Sequence, residues 1–128
     1  MSLGYGGAAR LVLCDGNSAI YAYKCENPNK PINNPIEDGE IYLEFNSIAS
    51  AYIPKRTKRY PKGVPITFAE NVDYQKMLAD GSLQVRNCSN CSRTGTDGID
   101  IQAWTLIHKI ALAVQRDGAF PEKVAYMR

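Results

Sequence analysis

Four cysteines are the side chains whose types and spacing could most readily do chemistry. Cys88 and Cys91 form a CxxC pair within "RNCSNCSRTGTDGID", residues 86–100, and Cys14 and Cys25 lie upstream. Two sulfurs at CxxC spacing can bind one tetrahedral metal ion, and a second pair completes a four-sulfur zinc site. These four cysteines are therefore one candidate metal site, and zinc is the only cofactor that the sequence suggests.

Other interpretations of these cysteines stay open. Ten residues separate Cys14 from Cys25, and a hairpin through the intervening "DGN" would hold the two apart as small hydrophobic strand residues. Cys88 and Cys91 would then be two thiols in a turn. A thioredoxin-like redox pair is disfavoured, because that chemistry places the first cysteine at a helix N-terminus. Here the next helix begins about six residues after Cys91.

A thiol-dependent enzyme is a further alternative that rests on the CxxC pair. Cys88 or Cys91 could act as a nucleophile with His108, the only histidine, as its base. Helical spacing places His108 beside Trp104 at the edge of an apolar stripe, where we expect an imidazole to be a packing residue. We therefore assign no catalytic residue and expect a non-enzymatic protein.

A basic segment is the second candidate site. Residues 54–62, "PKRTKRYPK", contain no acidic residue, whereas the other 119 residues carry ten basic and thirteen acidic side chains. Clustered cations can follow a phosphate backbone while an interleaved aromatic ring stacks on a base. The alternative is a solvated connection whose charges and prolines protect sheet edges. The candidate nucleic-acid-binding residues are Lys55, Arg56, Lys58, Arg59, Tyr60 and Lys62.

Composition places the chain among ordinary globular proteins. With 128 residues, 45% hydrophobic and 22% charged, we expect residues 1–128 to form a single domain. No stretch of about 18 apolar residues exists, so we expect no membrane span. The first ten residues, "MSLGYGGAAR", lack the basic and apolar regions of a signal peptide, which favours a cytoplasmic location where cysteines stay reduced.

The clearest element is a helix over residues 97–118. Its apolar residues cover an arc of about 240°, so it must pack against other elements on more than one side. We expect Asp97 to be its N-cap, with Asp100 at position N3, and Gly118 to end it. The polar remainder of the helix consists of Gln102, Thr105, Lys109 and Arg116.

Shorter elements complete the predicted fold. Residues 71–81 predict a helix of about two turns that is capped by Asn71 and stopped by Gly81. Residues 26–38, rich in proline and asparagine, predict a surface loop. β-Branched and aromatic runs predict strands at 9–14, 18–25, 39–45, 47–53, 64–68, 82–87 and 123–127. We thus predict an α+β fold: an antiparallel sheet of about five or six strands drawn from these runs, one long C-terminal helix packed on a face, and one short helix.

No motif in the chain is specific enough to determine a function. We expect a small non-enzymatic cytoplasmic binding or accessory module that contacts nucleic acid through residues 54–62. A zinc-stabilised four-cysteine domain and a thiol-dependent enzyme are the two alternatives. The other partner that we consider is a second copy of the chain, paired through a sheet edge.

Overall fold

A computed structural model describes residues 6–26, 37–89 and 94–127. Its five strands form one sheet in the order β4-β3-β2-β1-β5, with every neighbouring pair antiparallel. The elements are β1 (Gly6–Cys14), β2 (Ser18–Glu26), β3 (Gly39–Glu44), α1 (Phe45–Ala49), α2 (Tyr74–Asp80), β4 (Leu83–Arg86), α3 (Ile101–Asp117) and β5 (Lys123–Met127). The predicted α+β class, with its long C-terminal helix and short helix, is confirmed.

The β1–β2 hairpin determines which cysteines can meet. Its turn is closed by the Asp15 carboxylate, which accepts a hydrogen bond from the Ser18 amide at 2.9 Å, and Gly16 takes a φ of +98°. The register pairs Cys14 with Ala19 at the turn, and Cys25 with Gly7 at the open end. The hairpin therefore separates the first two cysteines, as its sequence predicts.

The core lies between α3 and one face of the sheet. Alternate residues of β2 and β3 point into it, and the opposite face of the sheet is partly exposed. A Cβ built on Gly7 would lie 3.4 Å from the Leu106 side chain, which shows how closely α3 approaches the hairpin. The largest fully buried apolar side chains are Tyr21, Tyr23, Ile41, Leu43, Ile48, Leu83, Leu106, Ile107, Ile110 and Val114.

The start of α3 differs from its prediction. Asp100 is the N-cap, and its carboxylate accepts a hydrogen bond from the Gln102 amide at 3.0 Å. Asp97 lies instead in a 3₁₀ turn, Thr96–Gly98, with a φ of +61°, a left-handed conformation that cannot begin an α-helix. The prediction for the helix end is confirmed, since Gly118 is left-handed at the C-cap. Among the described helices, α3 included, none has the length and apolar character to cross a membrane.

The predicted strand at 47–53 is wrong, because this part of the chain begins with α1. Phe45, Ile48 and Ala49 lie at helical spacing and pack in or against the core, whereas Ile53 is 77% exposed. Alternation with a period of two would have placed Ile48 on the opposite face from Phe45 and Ala49, yet all three lie in or against the core. The same apolar residues satisfy the helical period better than the strand period.

The prediction at 64–68 is also wrong, since these residues join no strand. Pro65 has no amide hydrogen to donate, and Phe68 is 70% exposed. The short helix is shorter than predicted: it begins at Tyr74, with Asp73 as N-cap, because Asn71 has a φ of +57°. Most of the predicted loop at 26–38 lies outside the described residues.

Candidate functional sites

The structure brings four polar side chains together in the core, and we name them the thiol–carboxylate cluster: Tyr23, Cys25, Cys88 and Asp100. The Cys25 sulfur lies 3.1 Å from the Cys88 sulfur and 3.1 Å from Asp100 Oδ2. The Cys88 sulfur lies 3.8 Å from the same carboxylate oxygen. All four residues are at most 3% exposed. The cluster is therefore enclosed by the fold.

Three elements position the cluster. Tyr23 and Cys25 are alternate residues of β2, so both side chains point into the core. Cys88 follows β4, and its amide donates to the Tyr23 hydroxyl at 3.0 Å. Asp100 is held at both ends, because its amide donates to Asn87 Oδ1 at 2.8 Å while its Oδ1 caps α3. Its second oxygen, Oδ2, is thereby directed at the two sulfurs.

A glycine makes room for the tyrosine of the cluster. Gly39 of β3 pairs with Tyr23 of β2, and a Cβ built on Gly39 would lie only 2.3 Å from the Tyr23 ring. The ring lies over the backbone where a side chain would otherwise stand. This contact places the Tyr23 hydroxyl 3.2 Å from Asp100 Oδ2, to which it donates.

Burial and hydrogen bonding keep Cys25 and Tyr23 protonated. The hydrogen bond with Cys88, followed by burial and by the contact with Asp100, raises the pKa of the Cys25 thiol far above its ordinary value. Burial and the nearby Asp100 carboxylate raise the pKa of Tyr23 in the same direction. A nucleophilic cysteine needs a lowered pKa and access to substrate, and the environment of Cys25 provides neither.

The predicted four-sulfur set is only partly assembled. Cys25 and Cys88 meet, but Cys14 is exposed at the hairpin turn, about seven residues along the strands and thus roughly 20 Å from Cys25. Cys91 lies outside the described residues, and its part in the site stays a prediction. Asp100 lies beside the two sulfurs, and the sequence did not predict this contact. The capping pattern indicated only that Asp100 lies in the first turn of a helix.

The single histidine, His108, is exposed and is not part of the cluster. His108 packs beside Trp104 and Tyr74, with ring centroids 5.9 Å and 5.0 Å away, as the helical spacing predicts for Trp104. Partial burial against these rings lowers the pKa of His108. The imidazole therefore packs against these two rings while it stays exposed to solvent.

The predicted nucleic-acid residues all lie in one exposed segment, which we name the basic loop, residues 54–62. Its base is closed by a hydrogen bond from the Val64 amide to the Lys55 carbonyl at 2.8 Å. Within it, the Thr57 amide donates to the Tyr60 carbonyl at 3.1 Å, and the Tyr60 amide donates back to the Thr57 hydroxyl at 3.0 Å. The loop is thus a closed turn that presents its side chains outward.

The cations of the basic loop are available for a partner. Three ion pairs are found in the described part of the chain, and none of them involves a loop cation. Within the loop, Arg59 lies over the Tyr60 ring, 5.6 Å from its centroid. Beside the loop, Lys55, Tyr52 and Phe68 help to line a surface cleft of about 230 Å³. Positive charge and aromatic surface therefore occur together here.

Comparisons with protein-family models, with curated proteins and with solved structures give no match for this chain.

Proposed function

We propose that this protein is a non-enzymatic binding module that contacts single-stranded nucleic acid through the basic loop. The observation that carries the proposal is the exposure of five cations within nine consecutive residues, none of them in an ion pair with a described residue. Cations that form no internal ion pair are the groups that can neutralise phosphates and release counterions. Because the remainder of the chain has an excess of acidic residues, binding depends on this one segment.

Aromatic groups beside the cations favour single strands over duplexes. Tyr60 is 36% exposed, and Phe68, at the adjoining cleft, is 70% exposed. Unpaired bases can stack on such rings, at about 1–3 kcal/mol per base, whereas the bases of a duplex are already stacked on each other. The cleft holds both Lys55 and Phe68, so a phosphate and a base can be bound next to each other.

The test is a salt titration of oligonucleotide binding. If all five cations neutralise phosphates, a plot of log affinity against log salt for a labelled single strand has a slope of roughly −3.5. We expect weaker binding to a duplex of the same length. Fluorescence anisotropy between low and physiological salt measures both quantities. Absence of binding to the single strand at low salt would refute the proposal.

A matched pair of triple variants separates the basic loop from net charge. The loop variant is Lys55→Gln, Lys58→Gln and Lys62→Gln, and the control is Lys76→Gln, Lys109→Gln and Lys123→Gln. All six lysines are exposed, so both variants lose the same charge without loss of packing. We expect the loop variant to reduce the slope by about 2 and the control to leave it near the original value. Equal losses in the two variants would mean that binding is not located at the loop.

A further inference from the structure

We propose that Cys25, Cys88 and Asp100 bind a zinc ion through two sulfurs and one carboxylate oxygen. This set differs from the four-sulfur site that the sequence predicts, since a carboxylate enters and Cys14 is excluded by its position. The three ligand atoms lie within 4.8 Å of one another, although the residues are 63 and 75 positions apart from Cys25 in the chain. The site is independent of the basic loop and of nucleic acid binding.

The spacing of the three atoms suits a tetrahedral ion. Zinc binds sulfur at about 2.3 Å and carboxylate oxygen at about 2.1 Å, which places tetrahedral ligand atoms roughly 3.5–3.8 Å apart. The distances in the cluster are 3.1, 3.1 and 3.8 Å. Each sulfur needs to move by less than about 1 Å to accept the ion. A water or another donor would fill the fourth position.

Neighbouring residues hold the Asp100 carboxylate with hydrogen bonds, as residues around the ligands of metal sites commonly do. Tyr23 donates a hydrogen bond to Asp100 Oδ2, and the Gln102 amide holds Asp100 Oδ1, so the carboxylate has a fixed orientation. The site lies at the N-terminus of α3, a helix of 17 residues, where the helix dipole favours negative charge. Two thiolates and one carboxylate leave a net charge of −1 around Zn²⁺, which this dipole stabilises.

Binding of Zn²⁺ releases two protons from the site. The thiols of Cys25 and Cys88 each lose one proton to solvent, and the two thiolates and the Asp100 carboxylate bind Zn²⁺ without any change of oxidation state. Tyr23 keeps its proton and its hydrogen bond to the carboxylate. The bound ion joins β2, the segment after β4, and the start of α3. We therefore expect zinc to act on the stability of the fold.

The direct test uses the full chain, reduced and stripped with a chelator, and then titrated with Zn²⁺ alone. We expect native mass spectrometry to find about one ion per chain, and the thermal midpoint to rise by roughly 10 °C at a hundredfold excess over the Kd. Co²⁺ in place of Zn²⁺ should give the near-ultraviolet charge-transfer band of thiolate ligands. No bound ion together with an unmoved midpoint would overturn the proposal, and this readout needs no variant to fold.

Three variants assign the ligands. Cys25→Ser and Asp100→Asn should each weaken Zn²⁺ binding by more than roughly 100-fold, since removal of even an outer-shell partner costs 10–100-fold. Asn is a good N-cap, so Asp100→Asn retains the start of α3. Cys14→Ser, at the exposed hairpin turn, is the control and should bind as the unaltered chain does. Equal losses from Cys14→Ser and Cys25→Ser, or full binding by Asp100→Asn, would overturn this ligand set.

Discussion

The thiol–carboxylate cluster and the basic loop differ in almost every physical respect. The cluster joins residues far apart in the chain, is at most 3% exposed, and has hydrogen bonds among its own members. The loop is nine consecutive residues, all exposed, and its cations form no ion pair with a described residue. The chemistry of the cluster therefore exists only when the chain is folded, whereas that of the loop follows largely from its composition. Changes in the cluster should affect stability, and changes in the loop should affect binding.

The largest expected effect is the low reactivity of the cluster thiols, compared with the exposed thiol of Cys14. In the reduced, metal-free chain, we expect Cys14 to react with iodoacetamide as fast as a peptide thiol. Cys25 and Cys88 should react at least about 100-fold more slowly, because they must first be exposed by an opening that costs roughly 3 kcal/mol or more. The raised pKa of Cys25 acts in the same direction, since less thiolate forms at neutral pH.

Peptide mapping of the labelled protein reads each cysteine separately, Cys91 included. Denaturation in urea is the control, because it should make all four rates equal. Rapid native labelling of Cys25 would contradict the enclosed cluster, and rapid labelling of Cys88 or Cys91 would favour the alternative of a thiol-dependent enzyme.

The next effect is on stability, through the carboxylate at the centre of the cluster. Asp100→Ala removes the N-cap of α3, at about 1 kcal/mol, and deprives Tyr23 and Cys25 of a buried acceptor, at about 1–3 kcal/mol. We expect a decrease of roughly 2–4 kcal/mol in the free energy of unfolding, measured with urea in the presence of chelator. The chelator separates this loss from any loss of zinc.

Asp97→Ala is the matched control for this change. Asp97 is exposed and accepts one hydrogen bond, from the Gln75 side chain at 2.7 Å. We expect Asp97→Ala to cost about 1 kcal/mol, because alanine tolerates the left-handed φ of +61° at this position less well than aspartate does. A similar loss from both variants would mean that Asp97, as the sequence predicts, contributes to the helix start as much as Asp100 does.

The sequence predicts the elements of this fold better than the contacts between them. Alternation along β3 and the apolar arc of α3 depend on neighbouring residues, and both predictions are confirmed. The cluster depends on which end of α3 lies over β2, and no local pattern contains that information. Because Asp97 was predicted as the N-cap, Asp100 was assigned to the first turn of the helix, and an acidic residue at that position gave no reason to predict a contact with the cysteines. The basic loop could be identified because its residues are consecutive.

Two glutamines of α3 show the same limit. Gln102 was predicted on the polar side of the helix but is 1% exposed, because its side-chain amide donates to the carbonyls of Gly6 and Glu26. Gln115 is 7% exposed and bonds to backbone groups of Ile48 and Glu70. Helical spacing alone predicts a solvated glutamine, yet here each side chain donates to two backbone carbonyls from other parts of the fold.

The smallest expected effect concerns Gln115, which links the segment that contains the basic loop to the core. Gln115 bonds to the Ile48 carbonyl at 3.1 Å, and to the Glu70 carbonyl at 2.9 Å and amide at 2.7 Å, so it holds both ends of the segment that contains the loop. Gln115→Leu keeps the volume but removes these three hydrogen bonds, and we expect a loss of about 1–3 kcal/mol in urea unfolding.

Gln84→Leu, which removes one exposed hydrogen bond to the Gly81 carbonyl, is the control and should cost less than about 0.5 kcal/mol. At low salt and well below the unfolding transition, oligonucleotide affinity of Gln115→Leu should change less than about tenfold, because the five charges are retained. If affinity instead fell with stability, recognition would depend on the shape of the loop as well as its charge. The two regions would then be coupled through α3, which carries both Gln115 and, at its N-cap, Asp100.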